Sequence, residues 1–339
     1  MRWSLMRLNI SQINSILDSW GVRARSFSWM KEGYVNFNFR IESNKGEFVL
    51  RGTDTVDVNR LTFKQRYMTE LERHGFPYRV PRPIRTNGRR LNTTFDNRLF
   101  WLYRYMDGAV RFDLKEGDLK EVARMIGTYH RIVSKMRLEE TNRQQDDLDS
   151  FRSRTTLWNM STHLLHIMRK RRKNGHDRVF IEEAHTFLPM MRDLDFVGYN
   201  ALDKYHLHRD ITPGNILWKD GKIVALLDFD QMFYKDVMIR DLTPMIYWTC
   251  IKGENGGPDL DMARYFLREY SKCRKLSDDE LALVPDVLIS TMMEYFNFVY
   301  WILENAPNRN LAASDLTFLA KTIRWAFRNR ESVGKRLSE

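Results

Sequence analysis

The stretch Tyr205 to Asp230, YHLHRDITPGNILWKDGKIVALLDFD, decides how this chain reads. In it His208-Arg209-Asp210 is followed after four residues by Asn215, and an apolar strand then delivers Asp228. That order suits phosphoryl transfer, which needs one carboxylate to accept the proton of an attacking hydroxyl, then an amide and a second carboxylate to hold Mg²⁺ on nucleotide phosphates. Oxygen ligands are those the hard Mg²⁺ ion takes. Pro213-Gly214 allows a tight loop between Asp210 and Asn215. Ile216-Leu217-Trp218 and Ile223 to Leu227 flank Asp220-Gly221 as a hairpin, which carries Asp228 back toward that loop. Singly, Asp210 reads equally well as a helix cap, Asn215 as a turn residue and Asp228 as a strand end. Their joint order argues for a kinase-like site.

Upstream of this window, segments near 26–30, 35–41 and 46–51 are aromatic and β-branched and are separated by turns, the pattern of an antiparallel sheet. One helix is expected over roughly 58–74, closed by Gly75, with Pro77, Pro81 and Pro83 preventing its continuation. The run Leu99 to Tyr103 reads as a buried strand ending at Asp107-Gly108. A lobe boundary falls there, giving an N-terminal nucleotide-binding lobe, 1–107, and a catalytic and acceptor-binding lobe, 108–339. Beyond it, amphipathic helices are expected near 118–135, 151–171, 177–192, 258–273, 277–304 and 313–329, with the hairpin inserted between the third and fourth. The fold class is α+β.

Composition narrows the setting. The 339 residues are 43% apolar and 29% charged, a globular balance long enough for a large core. Only Cys250 and Cys273 are present, too few for a disulfide framework or a thiolate zinc site, so a reducing, cytoplasmic setting is expected. No apolar run reaches membrane-spanning length, and no membrane partner is expected. The formal charge of +11 attracts anions without choosing among them, and nucleic acid is not favoured. The basic run Arg169 to Lys173 reads as a solvated helix end, with Asn174-Gly175 as its stop. His163 and His166 have metal-pair spacing but lack a third ligand at a suitable interval. Oligomeric state is not legible.

With these motifs in place, the sequence resembles the aminoglycoside phosphotransferase and choline kinase-like superfamily, which includes type II homoserine kinases and spore-coat kinase-like proteins. Further matches fall in the family's order: Gly33-Tyr34-Val35-Asn36, Phe48-Val49-Leu50-Arg51, Tyr105-Met106-Asp107-Gly108, Gly127-Thr128-Tyr129-His130 and Asp241-Leu242. The resemblance implies a bilobal protein kinase-like fold, ATP as co-substrate, Mg²⁺, and a small-molecule hydroxyl acceptor. It implies Asp210 as the catalytic base, Asn215 and Asp228 as metal ligands, and Arg51 as the cation on the nucleotide phosphates. Gly33 and Asn36 would belong to the nucleotide loop, the backbones of Arg104 and Met106 would meet adenine, and His208 and Asp241 would brace the site.

Two positions depart from the pattern. The helical glutamate that pairs with the strand cation in this family falls on Lys64, so either the helix is shifted relative to the pattern or Arg51 uses another partner, such as a carboxylate that the sequence does not identify. The glycine usual between His and Asp is Arg209, read as a structural cation. A Ser/Thr protein kinase is the alternative, disfavoured by the twelve residues between Asp228 and Asp241, too few for an activation segment. A nucleotide-binding pseudokinase is a further alternative. For the acceptor, the helix from Met292 to Glu304 is apolar nearly all round, and its polar stripe of Glu294, Asn297 and Glu304 reads as a solvent face or as a cleft wall. In the second reading Glu294 with Trp301 would receive an amine.

Overall fold

A computed structural model of the chain describes residues 8–30, 36–53, 58–138, 154–232, 235–251, 258–305 and 311–338. They pack as two units, one drawn from 8–110, 135–138 and 215–232, the other from 111–134, 154–214 and 235–338.

The first unit is organised by five antiparallel strands: β1 (Ala24–Trp29), β2 (Phe37–Ser43), β3 (Gly46–Thr53), β4 (Thr93–Phe95) and β5 (Arg98–Arg104), in the order β1-β2-β3-β5-β4. Side chains alternate across a strand, so the central β3 serves two cores. Phe48 and Leu50 join Phe39 and Ile41 on one face, packed with Ile13, Ile16 and Leu17 of helix α1 (Ile10–Leu17). Val49 faces the other side with Trp101 and Tyr103, under Leu61 of helix α2 (Val58–Arg73). Arg51 lies in register with Trp101 on that second face. Helix α1 is an addition to the single helix expected for this half. Its start was signalled in the sequence, since Asn9 and Gln12 form a reciprocal capping box in which each side chain accepts from the other's amide, at 2.9 and 3.0 Å.

The hairpin strands Ile216–Lys219 and Lys222–Leu226 meet at Asp220 and Gly221, both at positive φ (49° and 74°), the conformation a two-residue type I′ turn requires. The hairpin belongs to the first unit. Arg79 donates to the Val224 carbonyl at 3.1 Å and accepts from Leu226 at 2.9 Å, while Ala109 and Trp218 exchange hydrogen bonds at 2.9 Å. This docking explains Gly108, where a Cβ would stand 3.1 Å from both Leu217 Cβ and the Trp218 carbonyl.

Helices build the second unit: α3 (Glu116–Val133), α4 (Arg154–Met168), α5 (Gly175–Met190), α6 (Phe196–Ala201), α7 (Leu242–Ile246), α8 (Leu260–Ser271), α9 (Asp278–Asn305), α10 (Ala313–Arg328) and α11 (Arg330–Ser338). Helix α7 runs into a π-helical turn, Tyr247–Ile251. Helices α10 and α11 both pack on α9, and α8 packs on α3. Gly127 permits that last approach, for a Cβ there would lie 2.6 Å from Cys273 Cβ. Asn174-Gly175 does not stop α4. Asn174 instead caps α5, its side chain accepting from the Asp177 amide at 2.9 Å, and α4 ends at Met168. Among the described residues no helix is long and apolar enough to cross a membrane.

Candidate active site

In the first unit, β3 brings Arg51 and the end of the hairpin brings Asp228-Phe229-Asp230 to one place. Arg51 Nη2 lies 3.1 Å from Asp228 Oδ1 and 2.6 Å from Asp230 Oδ2. Lys64 Nζ of α2 reaches Asp230 Oδ1 at 2.5 Å, and Asn36 Nδ2 donates to Asp230 Oδ2 at 2.5 Å. Lys64 points inward because it follows Leu61 by three residues and precedes Met68 by four, on the buried face of the helix. Both cations stand over Trp101, at 4.9 Å for Lys64 Nζ and 5.5 Å for Arg51 Cζ from the ring centre. Burial by itself would raise the Asp230 carboxyl, but Arg51 and Lys64 outweigh it and hold Asp230 well below the usual carboxylate range. Burial likewise opposes the charge on Arg51, and Asp230 with Asp228 more than restores it. The carboxylate that Arg51 was missing is therefore Asp230, which the sequence reading passed over. The signal was the second acid of Asp-Phe-Asp.

Asp228 is engaged more loosely. Its side chain keeps 39% exposure, and its backbone is left-handed (φ 59°), a conformation non-glycine residues adopt at some energetic expense and often at functional positions. The Asn215 carbonyl accepts from the Leu227 amide at 2.8 Å, so the two expected metal ligands come from adjacent ends of the hairpin. One carboxylate with an open side and one half-buried amide residue form an oxygen-donor set that fits Mg²⁺. At the end of β5, Arg104 Nη1 donates to the Lys45 carbonyl at 2.8 Å, and the next residue, Tyr105, donates its amide to Glu47 at 3.1 Å. Met106 is buried in the core that holds Trp101. Gly33 lies outside the described residues.

The second unit holds Asp210 in a short loop fastened from behind. Asp241, fully buried, accepts from the His208 amide at 3.3 Å and from the Arg209 amide, and its Oδ2 lies 3.1 Å from His130 Nε2. His130 Nδ1 meets the Tyr270 hydroxyl at 2.7 Å, and burial lowers the His130 pKa although Asp241 opposes this. Asp241 opens α7 without capping it through its side chain. His208 is buried, and its Nδ1 accepts from the Asp210 amide at 3.3 Å. Arg209 has φ 63°, which explains a glycine preference at this position. Its side chain supplies a compensating contact, with Nε donating to Asp236 Oδ2 at 2.9 Å. Asp236 also accepts from the Tyr199 hydroxyl at 2.6 Å and the Val237 amide at 2.8 Å. Asp236 and Arg240 went unnoticed in the sequence because nothing in their spacing separates them from surface charges.

The polar stripe of α9 is engaged by ion pairs and hydrogen bonds. Glu294 pairs with Arg240 and lies 3.6 Å from Arg209 Nη2, while Asn297 is buried and donates to the Met293 carbonyl at 3.2 Å. Trp301 stacks on Phe298, with ring centres 6.0 Å apart and planes at 8°. Glu304 takes Lys170 at 2.5 Å and His176 at 2.6 Å. Lys170, expected in a solvated run, also reaches the buried Asp177 at 2.7 Å, so its ammonium already fills the space between two carboxylates in the His176-Asp177-Glu304 group. His163 packs against Phe180 and Tyr300, with ring centres 5.5 and 5.0 Å away.

Residues 30–276 match the phosphotransferase enzyme family, and the chain belongs to it. A homoserine kinase from Phenylobacterium zucineum (strain HLK1) is 22% identical over 272 residues, covering 80% of this chain and 78% of its own. Two solved structures share the fold. One is a microcompartment-associated aminopropanol kinase, with TM-score 0.68 at 14% identity, covering 97% of this chain and all of the other. The second is a spectinomycin phosphotransferase in complex with ADP and spectinomycin, with TM-score 0.67 at 13% identity, covering 96% and 99%. The protein is a phosphotransferase with an N-terminal antiparallel sheet and a helical C-terminal part.

Proposed function

We propose that the protein transfers the γ-phosphoryl group of ATP to a hydroxyl of a small metabolite, such as an amino alcohol, hydroxy-amino acid, aminoglycoside or sugar. The observation that carries this reading is the pairing of Arg51 with Asp228 beside Asn215, a cation and two oxygen donors from separate parts of the chain gathered in one unit. The names of the relatives, for homoserine, aminopropanol and spectinomycin, support a small hydroxyl-bearing acceptor.

Asp210 is the base. It takes the proton of the acceptor hydroxyl as that oxygen bonds to the γ-phosphorus, while the bond to the bridging oxygen of ADP breaks. The anchoring of His208 and Arg209 on Asp241 keeps its loop in one conformation, so little ordering remains to be done during reaction. Arg51 binds nucleotide phosphate, for which a guanidinium offers two parallel donors. Mg²⁺, when bound by Asn215 and Asp228, supplies charge neutralisation on the phosphates. The backbones of Arg104 and Met106 meet adenine, and Asn36 borders the phosphates. We place the lobe division near residue 108, with acceptor contacts supplied by the helical part.

The test is an ADP-release assay with purified protein, Mg·ATP and panels of hydroxylated metabolites. Acceptor-dependent ADP release for at least one class supports the reading, and release with none of them refutes it.

A further inference from the structure

Arg51 and Lys64 share one carboxylate, and that carboxylate comes from the hairpin end rather than from α2. We propose that Asp230 is the residue that positions Arg51 for nucleotide phosphate, with Lys64 as the counter-ion that holds Asp230 in place. The Arg51-Asp230-Lys64 triad then does the work of the strand-cation to helix-glutamate pair expected in this family. The proposal rests on the phosphotransferase reading of the site and goes beyond it in assigning roles to two residues outside that reading.

Three observations support the assignment. The first is geometric. Arg51 Nη2 is closer to Asp230 (2.6 Å) than to Asp228 (3.1 Å), so Asp230 is its main anchor and Asp228 keeps its open side. The second is enclosure. Arg51 and Lys64 keep only 9% and 14% side-chain exposure, so neither cation is free to find a partner in solvent, and Asn36 donates a further hydrogen bond to Asp230. A buried charge without a partner is strongly unfavourable, which makes the triad one cooperative unit. The third is balance. Two cations face two carboxylates here, whereas a glutamate at position 64 would set one cation against three carboxylates at a site meant for a polyanion.

A functional consequence separates this arrangement from the usual one. In protein kinases, the position of the helix that carries the glutamate controls whether the strand cation is aligned. Here the anchor sits two residues from the metal-ligand candidate Asp228, on the same unit as Arg51. Alignment of Arg51 is built into the sheet and hairpin, and α2 contributes only the neutralising charge.

The experiment measures Mg·AMP-PNP affinity by calorimetry, with thermal melting as a fold control, for wild type, Asp230→Asn, Lys64→Met/Asp230→Asn and Lys64→Glu/Asp230→Asn. The Met/Asn pair removes both charges together, so it leaves no excess cation to disturb folding. Loss of the charged anchor should weaken nucleotide binding about tenfold or more in the first two variants, the effect of losing a hydrogen bond to a charged group. Lys64→Glu/Asp230→Asn should regain most of that loss, because the helix now carries the carboxylate, and the KM for acceptor should not follow these changes. Wild-type affinity in Lys64→Met/Asp230→Asn overturns the proposal, as does a Lys64→Glu/Asp230→Asn variant no better than it. Wild-type protein that binds no nucleotide overturns the phosphotransferase reading along with the triad. Binding that is normal in wild type and indifferent to these substitutions overturns the triad alone.

Discussion

At the residue scale, Arg209 sets two effects against each other. Its left-handed backbone costs a non-glycine residue roughly 1–2 kcal/mol, which Arg209→Gly would remove. The same substitution strips a buried partner from Asp236, whose side chain is 1% exposed, and breaking a buried pair typically costs about 3–5 kcal/mol. Tyr199 and the Val237 amide still serve Asp236, so the loss falls at the lower end. Arg209→Gly should therefore destabilise the protein by about 1–2 kcal/mol, read as a lower denaturation midpoint, and a rise would show that backbone relief dominates. Legibility at this scale was uneven for a physical reason. His208, Asp210, Asn215 and Asp228 stand out as candidates in the sequence because the proposed phosphoryl transfer would prescribe residue types at such a spacing. Asp230 and Lys64 form a pair 166 residues apart in sequence, and no local pattern carries such a pairing.

At the element scale, period-2 and period-3.6 patterns located the five-stranded sheet's main strands, α2 and the long helices, since each hides one apolar face. Helix α1 escaped because its eight residues make only two turns, and its capping box was the stronger signal. The Asn174-Gly175 reading failed because both ends of helices favour Asn and Gly, and the Asp177 side chain that accepts from the Asn174 amide at 2.9 Å decides between them. Gly127 allows a prediction about how elements meet. Alanine improves helix propensity by about 1 kcal/mol, yet its Cβ would stand 2.6 Å from Cys273 Cβ, an atom that no rotamer change can move. Overpacking of this kind costs typically 1–3 kcal/mol, so Gly127→Ala should lower the melting temperature despite the gain in propensity. A raised melting temperature would mean that α3 and α8 separate freely.

At the scale of the whole molecule, stability should depend on pH through a residue remote from Asp210 in sequence. Burial, with a smaller contribution from His166, lowers the His163 pKa to about 4, against roughly 6.5 for the unfolded chain. The native state thus binds fewer protons between these values, so this contribution is complete above pH 6.5 and is lost as pH falls toward 4. Denaturation midpoints should drop between pH 7 and pH 5, and His163→Phe, which keeps an aromatic ring against Phe180 and Tyr300, should flatten that drop. An equal pH slope in both proteins would contradict the assignment. The central claim, phosphoryl transfer to a small-molecule hydroxyl with Asp210 as base, is most directly tested by ³¹P NMR of the products formed from Mg·ATP and the best acceptor. Wild type should yield a phosphomonoester equimolar with ADP, and Asp210→Asn should slow its formation by about 10²-fold or more while binding Mg·AMP-PNP with unchanged affinity. Inorganic phosphate as the sole phosphorus product, or an Asp210→Asn protein that keeps more than about a tenth of the rate, would contradict it.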